Sequence, residues 1–456
     1  MRFRWGTVAA VLVVLAVYVH IGSGRTWSFR RVPWQRTPEQ SFTERYYAAL
    51  AEGFLHGRLD MPYAVDPRWK HVTNAYDFAA REAQGMAWEM WDASFFNGKF
   101  YLYFSPVPVL LFYIPFRLIG GGYPPDSLAA TFFLAWGFLL SVAFARRALA
   151  GRALHVPFPF WVLLIGLGNI APYMLRSVRA YEVAVAAGTA MTATFAYMLL
   201  RWIESKRTRD AVWMTFWLAL AIATRPNFIV LLLVVAVLLW RQRRAMLFAL
   251  IPIAVVGGAG ALYNQARFSS PFELGMTYQI SYAPMWRAAP CSLCGVPEAI
   301  RLVNNIVHYV FWAPRFGSEF PYVALQLHAL DRSVSYAGGA EEIVGIAALD
   351  PLALLGAFLA LALLLRRGGN EPGTRAAIAV MAAAWVILLG LSTCRWVTAR
   401  YALDFMFLMT AASVVCIEET LRTIAPHVRT RLLAVVLAAV ALFPIVTATL
   451  LAFTPT

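Results

Sequence analysis

Carboxylate side chains, which can act as general bases, are concentrated in one polar stretch of the chain, 23–104. Asp92 lies near the end of that stretch, in the run WDASFFNGKFYLY. Aromatic side chains on both sides of it would lower the local dielectric, which suits a carboxylate that accepts a proton from a substrate hydroxyl. Tryptophans beside an acid are also typical of the aromatic belt at a membrane surface, and that alternative stays open.

Divalent-cation binding is a second chemistry open to this stretch. Asp77 and Asp92 could share such a cation through oxygen ligands, although two carboxylates at this spacing are weak evidence for a site. The chain has no H-E-x-x-H, G-x-S-x-G or P-loop sequence, and its seven histidines are scattered. The sequence therefore calls for no cofactor, with a divalent cation as the alternative.

Charged residues also occur within or at the edges of apolar runs, where they cost several kcal/mol unless paired or hydrated. They are Glu182, Arg225, Arg400 and Asp404. An amphiphile with a phosphate head would need Arg or Lys at the membrane surface and a carboxylate facing the group to be transferred. Lys99 could meet such a phosphate or anchor the next apolar run. Structural pairing is the alternative for each of these charges.

The composition is that of a membrane protein. Of 456 residues, 60% are hydrophobic and only 14% are charged, whereas about a quarter of the residues are charged in soluble domains. The net charge of +15 comes largely from Arg and Lys that flank apolar runs, as in the positive-inside pattern of cytoplasmic loops. This placement argues against nucleic-acid binding.

Apolar runs long enough for membrane helices recur along the whole chain. We expect them at 7–22, 105–119, 128–146, 158–174, 179–203, 210–225, 227–241, 245–264, 344–366, 376–393, 400–417 and 431–453. Segment 105–119 is short and carries three prolines, so we expect it not to cross. The charge pattern then predicts about eleven spans, with thirteen as the alternative, and a cytoplasmic N-terminus preceding an uncleaved first helix.

The resulting organisation is a single all-α polytopic domain, 1–456. Two polar loops, 23–104 and 265–343, fall on the same outer side, together with short polar patches around Glu182 and Arg400. Residues 43–58 have the apolar spacing of an amphipathic helix on the membrane surface. Cys291 and Cys294 form a C-x-x-C in the second loop, where a local disulfide is expected.

Several runs resemble the bacterial polytopic glycosyltransferases of the GT-C fold. They are ERYYAALAEGFLHGRLDMP, DASFFNGKFYLYFSPVP, YNQARFSSPFELGMTYQ and RYALDF. Relatives include protein O-mannosyltransferases, the aminoarabinose transferase of lipid A and rhizobial galacturonosyltransferases. The resemblance implies a bacterial inner-membrane enzyme with a periplasmic active site. It would transfer a hexose or pentose, with inversion, from a polyprenyl-phosphate donor to a cell-envelope glycan, lipid or protein. A transporter or flippase of lipid-linked sugars is the rival function, although we find no internal repeat.

The resemblance also suggests roles for individual residues. Asp92 matches the acidic position before the Asn-Gly-Lys run, and Glu44 falls near the acidic pair that many relatives place in the first loop. The chain departs from that pattern because Thr43 stands where relatives have Asp, so the catalytic base is Asp92, Glu44 or Asp77. The candidate substrate-binding residues are Lys99, Arg45, Arg267, Arg400, Tyr401, Asp404, Glu182 and Tyr103.

Overall fold

A computed structural model describes residues 5–35, 43–281, 296–327, 342–366, 371–394, 397–424 and 430–454. Seven of its helices are long and apolar enough to cross a membrane: Trp5–Gly22 (α1), Asp126–Ala148 (α5), Ala180–Ser205 (α8), Arg243–Phe268 (α11), Pro372–Ser392 (α15), Ala399–Ile424 (α16) and Thr430–Leu451 (α17). The prediction of an all-α polytopic membrane protein is confirmed. The number of crossings and their orientation stay predictions.

Shorter helices complete the bundle and its loops. They are Tyr46–Leu55 (α2), Phe78–Glu82 (α3), Ile114–Gly120 (α4), Phe158–Leu167 (α6), Ala171–Met174 (α7), Thr208–Thr224 (α9), Leu231–Leu239 (α10), Val296–Phe311 (α12), Ile346–Leu349 (α13) and Pro351–Leu365 (α14). The 3-10 helices are Pro67–Lys70, Pro226–Val230 and Met276–Tyr278, and a π-helical turn, Val109–Tyr113, precedes α4. Every predicted apolar segment therefore contains a helix.

The segment 105–119 contacts the first loop near its middle and again just after its end. Before α4, the ring of Tyr113 stacks on that of Tyr47 in α2, with centroids 5.5 Å apart. After α4, Tyr123 exchanges two backbone hydrogen bonds of 2.8 Å with Val32. Since the middle of the segment and the residues after its end contact the same loop, this geometry supports the expectation that the segment does not cross.

Helices α8 and α16 form the centre of the bundle. In the most apolar 18-residue stretch of each of these two helices, 94% of the residues are buried, compared with 17% in α11 and 33% in α17. Helix α8 is rich in Ala and Thr and contains Gly188, and such small residues let neighbouring helices approach closely. At Gly188, an added Cβ would lie 2.8 Å from the ring of Phe228. The outer helices α11 and α17 expose Leu and Val, as lipid-facing helices do.

The first loop lies at one end of the bundle and contains a β-hairpin, Ala93–Phe96 (β1) and Lys99–Leu102 (β2). Asn97 and Gly98 join the strands, both with positive φ, as a type I′ turn requires. Helix α2 forms within the predicted range 43–58. Its residues Tyr46 through Ala51 are buried, and the ring of Tyr47 stacks on Tyr113 in the π-helical turn.

The described parts of the second loop lie at the same end of the bundle, which we call the loop face. They include four two-residue strands, Arg315–Phe316 (β3), Val323–Ala324 (β4), Gln326–Leu327 (β5) and Glu342–Ile343 (β6), paired β3 with β4 and β5 with β6. Cys291 and Cys294, with their expected disulfide, lie outside the described residues.

The opposite end of the bundle is closed by buried acids of α16. The Glu418 carboxylate accepts hydrogen bonds from the backbone N–H groups of His155 and Val156, at 2.9 and 3.0 Å, and from the indole N–H of Trp161, at 2.9 Å. Glu419 pairs with Arg152 at 2.6 Å. These contacts fasten the connection between α5 and α6 to the centre of the bundle.

Candidate active site

Asp92 is held at the loop face by the second loop. Its backbone N–H donates to the Ile280 carbonyl at 2.8 Å, and the Ile280 N–H donates to Ala93 at 2.8 Å. One carboxylate oxygen accepts from Gln279 Nε2 at 2.7 Å, and the other accepts from the Tyr181 hydroxyl. The backbone of Asp92 is left-handed, with φ 58°, and the residue is only 8% exposed. The structure therefore fixes both the direction and the environment of this carboxylate.

Two further contacts fasten the second loop beside Asp92. The Ser94 hydroxyl donates to the Gly275 carbonyl at 2.8 Å. Gly275 has φ +95°, and a Cβ there would lie 2.6 Å from Ser94 Oγ, so the close approach requires glycine. The loop is thus locked against β1 just before it reaches Gln279.

Arg81, a buried arginine, also connects the first loop to the second loop next to Gln279. Arg81 donates from Nη1 to the Ala75 carbonyl at 2.9 Å and from Nη2 to the Ser281 carbonyl at 2.8 Å. Burial lowers the pKa of this guanidinium to about 10, so it remains charged at neutral pH. Arg81 therefore links the first loop to the segment that carries Gln279. It thereby helps to hold the surroundings of Asp92 in place.

Arg400, in the first turn of α16, lies beside the N-terminus of α8. The guanidinium carbon of Arg400 lies 4.9 Å from the ring centre of Tyr181, the residue that donates to Asp92. Arg400 Nη1 is 3.7 Å from Glu182 Oε1, while Glu182 Oε2 accepts from the Arg179 N–H at 2.8 Å. Asp92 and Arg400, predicted from distant parts of the sequence, thus lie on one face and share Tyr181 as a neighbour.

A second guanidinium is locked in place where α9 ends. Arg225 donates to one Asp404 oxygen from Nε at 2.9 Å and approaches it from Nη2 at 2.8 Å, and Asn227 donates to the same oxygen at 2.9 Å. The Tyr401 ring centre lies 4.8 Å from the Arg225 guanidinium carbon and 5.7 Å from that of Arg400. The two cations therefore lie around one aromatic ring, each with its own carboxylate.

Tyr103 is half-buried among these groups. Burial raises the pKa of its phenol well above 10, and the nearby Asp92 carboxylate raises it further. The Arg400 and Arg225 charges act in the opposite direction and are outweighed. Tyr103 is therefore a neutral hydrogen-bond donor at physiological pH, close to both the carboxylate and the guanidinium groups.

Glu44 and Arg45 belong to an adjoining part of the loop face, built around the buried Asp126. The Arg45 N–H donates to Asp126 Oδ2 at 3.2 Å, and the Tyr113 hydroxyl donates to Oδ1. The Arg45 guanidinium donates to the Gln35 carbonyl. Glu44 precedes this contact and is half-buried. It thus stays a structurally reasonable alternative to Asp92 as a base.

Three predicted residues have contacts that direct them to other tasks. Asp77 is exposed and caps α3, accepting from the Ala79 N–H at 3.0 Å. Lys99 has a 55% exposed side chain, 4.0 Å from Asp60. Arg267, the third, is only 5% exposed.

The donors of Arg267 are directed to the protein itself. Nη1 donates to the Leu102 carbonyl at 2.8 Å and Nη2 to Asn264 Oδ1 at 2.7 Å. Its guanidinium carbon lies 3.9 Å from the ring centre of Tyr263 and 4.6 Å from that of Phe268. Arg267 fastens β2 to α11, and this geometry does not favour the phosphate contact predicted for it.

Comparison with solved structures adds a structural likeness. No protein-family model matches the chain, and no curated protein matches it. Among solved structures, it is similar to the archaeal oligosaccharyltransferase AglB from Archaeoglobus fulgidus, in complex with an inhibitory peptide and a dolichol-phosphate. The TM-score is 0.45 and the identity 14%, over 98% of this chain. The chain spans 55% of that protein, and a likeness at this level does not establish a shared activity.

Sequence reasoning gave no role to the residues that orient the predicted ones. They are Tyr181, Gln279, Asn227, Arg81 and Asp126. Asp126 offered the same signal as Asp404, an acid at the edge of an apolar helix. Arg81 and Gln279 offered none, because a polar residue in a polar loop is ordinarily solvated. Among the described ranges, no group of three or more His, Cys, Asp or Glu is arranged for a metal ion. Asp77 and Asp92 have separate partners.

Proposed function

We propose that the chain is an inverting membrane glycosyltransferase that uses a polyprenyl-phosphate sugar and a cell-envelope acceptor. The observation that carries the proposal is the meeting of Asp92, Tyr181 and Arg400 at the ends of membrane helices. A lipid-linked donor keeps its tail in the bilayer and its phosphate at this depth. A carboxylate next to a guanidinium there supplies a proton acceptor beside a phosphate binder.

In the proposed reaction, Asp92 takes the proton of the acceptor hydroxyl. The acceptor oxygen forms a bond to the anomeric carbon from one side, while the bond from that carbon to the phosphate oxygen breaks on the other side. The electron pair of the broken bond leaves with polyprenyl phosphate. One displacement of this kind inverts the anomeric centre, and proton transfer to a positioned carboxylate contributes on the order of 10²–10⁴-fold to the rate.

Arg400 is the better phosphate binder of the two guanidinium groups. Its side chain is 22% exposed, and its guanidinium lies beside Tyr181, the residue that donates to Asp92. Arg225 instead makes contacts of 2.8 and 2.9 Å with Asp404, whose side chain is fully buried. We therefore assign the leaving phosphate to Arg400, with the neutral phenol of Tyr103 as a further donor, and a supporting electrostatic role to Arg225.

The proposed location is the bacterial inner membrane, with the loop face in the periplasm and the N-terminus in the cytoplasm. Support comes from the basic residues at the other end of the bundle, around the α5–α6, α8–α9 and α10–α11 connections. An excess of Arg and Lys in short connections marks the cytoplasmic side. The sugar acceptor is then a periplasmic glycan, lipid or protein.

Turnover by purified protein in detergent tests the proposal. A labelled polyprenyl-phosphate sugar is supplied with an extract of bacterial envelope, and both label transfer and released polyprenyl phosphate are measured. We expect both products in equal amounts without a sealed bilayer. Movement of the intact donor across liposomes, with no bond cleavage in detergent, would instead establish a transporter.

A pair of matched arginine variants locates the activity. Arg400→Ala should lower transfer because it removes the phosphate contact. Arg209→Ala, which removes an exposed arginine at the start of α9 on the opposite face, should leave transfer unchanged. Equal activity of the two variants would reject the assignment of phosphate to Arg400.

A further inference from the structure

A cavity separate from the candidate active site opens at the loop-face end of α1 and α5. Its volume is about 680 Å³, within the range of about 300–1,000 Å³ typical of ligand sites. The last residues of α1, the chain that follows them, the start of α5 and the connection between α7 and α8 form its wall. It therefore lies where a spanning helix leaves the membrane, at the depth of lipid headgroups.

Two arginines line the cavity wall, and one of them is paired with Glu342. Arg30 and Arg176 line it, and none of its lining residues is Asp or Glu. Arg176 is itself braced by Glu342 at 3.0 Å and by the Tyr173 hydroxyl at 2.8 Å, whereas Arg30 is exposed. Ser127 adds a hydroxyl in the first turn of α5, where the helix dipole favours an anion, and the Leu128 and Ala129 N–H groups beyond it donate to the Pro125 carbonyl. This combination favours an anionic group.

The rest of the lining is mixed, with the hydroxyls of Ser23, Thr26 and Ser28 beside aliphatic side chains, and the floor of the cavity is closed. Ile21, Val32 and Leu175 provide aliphatic surface. At Gly22, an added Cβ would lie 2.1 Å from Thr131 Oγ1, so α1 and α5 are in close contact beneath the opening. A ligand with an apolar portion as well as an anion would contact both kinds of surface.

We infer that this cavity binds the phosphate-bearing head of an anionic membrane amphiphile. Arg30 contacts the phosphate, Ser127 donates a hydrogen bond to it, and the acyl chains extend along α1 into the bilayer. The site is distinct from the one around Asp92. It borders that site at the α7–α8 connection and at the start of α5, and it is occupied whether or not the protein transfers sugars.

Lipid binding by the delipidated full-length chain in detergent tests the inference. Phosphatidylglycerol, phosphatidylcholine and inorganic phosphate are titrated separately, with native mass spectrometry for binding and thermal unfolding for stabilisation. We expect phosphatidylglycerol to bind and to raise the Tm, and the other two to do neither at equal concentration. Arg30→Gln should weaken phosphatidylglycerol binding about fivefold, as expected for one arginine near an anionic lipid.

Two further variants separate this site from general effects of charge. Arg25→Gln removes a nearby arginine that faces Phe453 instead of the cavity, and it should bind phosphatidylglycerol like the parent. Ser28→Trp fills the cavity from its exposed rim and should reduce binding without removing a charge.

Three results would overturn the inference. Equal binding of phosphatidylcholine would show that the cavity does not select an anion. Equal stabilisation by inorganic phosphate would show a site for free phosphate and no need for the apolar portion. Equal losses in Arg30→Gln and Arg25→Gln would show attraction to the protein's overall charge and no defined site.

Discussion

Asp92→Asn is the substitution that tests the proposed chemistry most directly. It removes the negative charge while preserving the shape of the side chain and the contacts around it. Asparagine tolerates the left-handed backbone of this position, where φ is 58°. The amide oxygen of the new asparagine can still accept a hydrogen bond from Gln279 Nε2, which lies 2.7 Å from the Asp92 carboxylate in the parent protein. The amide nitrogen can donate to the hydroxyl oxygen of Tyr181. The fold around position 92 should therefore persist.

The expected magnitudes separate catalysis from stability. Two hydrogen bonds change from charge-assisted to neutral, which should lower the free energy of unfolding by about 1–2 kcal/mol. Loss of a general base should lower the transfer rate about 10²–10⁴-fold, equivalent to about 3–5 kcal/mol in the activation barrier. The activity loss should thus exceed what partial unfolding could explain.

The assay combines single-turnover transfer from a labelled polyprenyl-phosphate donor with thermal unfolding of the same sample in detergent. Asp77→Asn is the matched control, because Asn caps a helix as well as Asp does and Asp77 is exposed. It should retain parental activity. A folded Asp92→Asn protein with more than about a tenth of the parental rate would refute the base assignment. If Glu44→Gln is inactive in that case, the base is Glu44.

Three further predictions follow from individual contacts. Arg400→Lys keeps the charge but loses the planar pair of donors, and we expect kcat/KM for the donor to fall about tenfold; unchanged kinetics would exclude a bidentate phosphate contact. Asp404→Leu leaves the buried Arg225 without its carboxylate partner. It should lower the free energy of unfolding by about 3–5 kcal/mol, measured by chemical unfolding in detergent. An unchanged midpoint would show that Arg225 reaches water. Glu418→Ala leaves three N–H donors, including the Trp161 indole, without their acceptor and should cost about 3 kcal/mol or more. A parental thermal midpoint for Glu418→Ala would contradict that cost.

The local structure around Asp92 carried a signal that sequence reasoning did not use. The Asn97-Gly98 pair between aromatic residues is a strong hairpin signal, and the structure forms β1 and β2 there. The hairpin explains why Lys99, close to Asp92 in sequence, is directed to Asp60. Adjacency along the chain was a poor guide because the turn reverses direction between the two residues.

The arginines show what residue type alone leaves undecided. Arg267, Arg225 and Arg400 all lie at the ends of apolar runs, so sequence patterns treat them alike. The structure directs Arg267 to a backbone carbonyl of β2 and Arg225 to a buried carboxylate. Arg400 lies beside Tyr181 with 22% of its side chain exposed, compared with 13% for Arg225. The difference arises from partners more than a hundred residues away.

The sequence by itself determined that this is a polytopic helical membrane protein and where its apolar segments lie, because a bilayer requires about 20 consecutive apolar residues for each crossing helix. It also drew attention to Asp92, because a carboxylate among aromatic residues is conspicuous in a chain so poor in acids. Only the tertiary structure decided that Tyr181 and Gln279 orient Asp92 and that Arg400 lies beside it. Those contacts depend on how α8, α16 and the two loops pack, and packing between distant segments leaves no periodic pattern in the sequence.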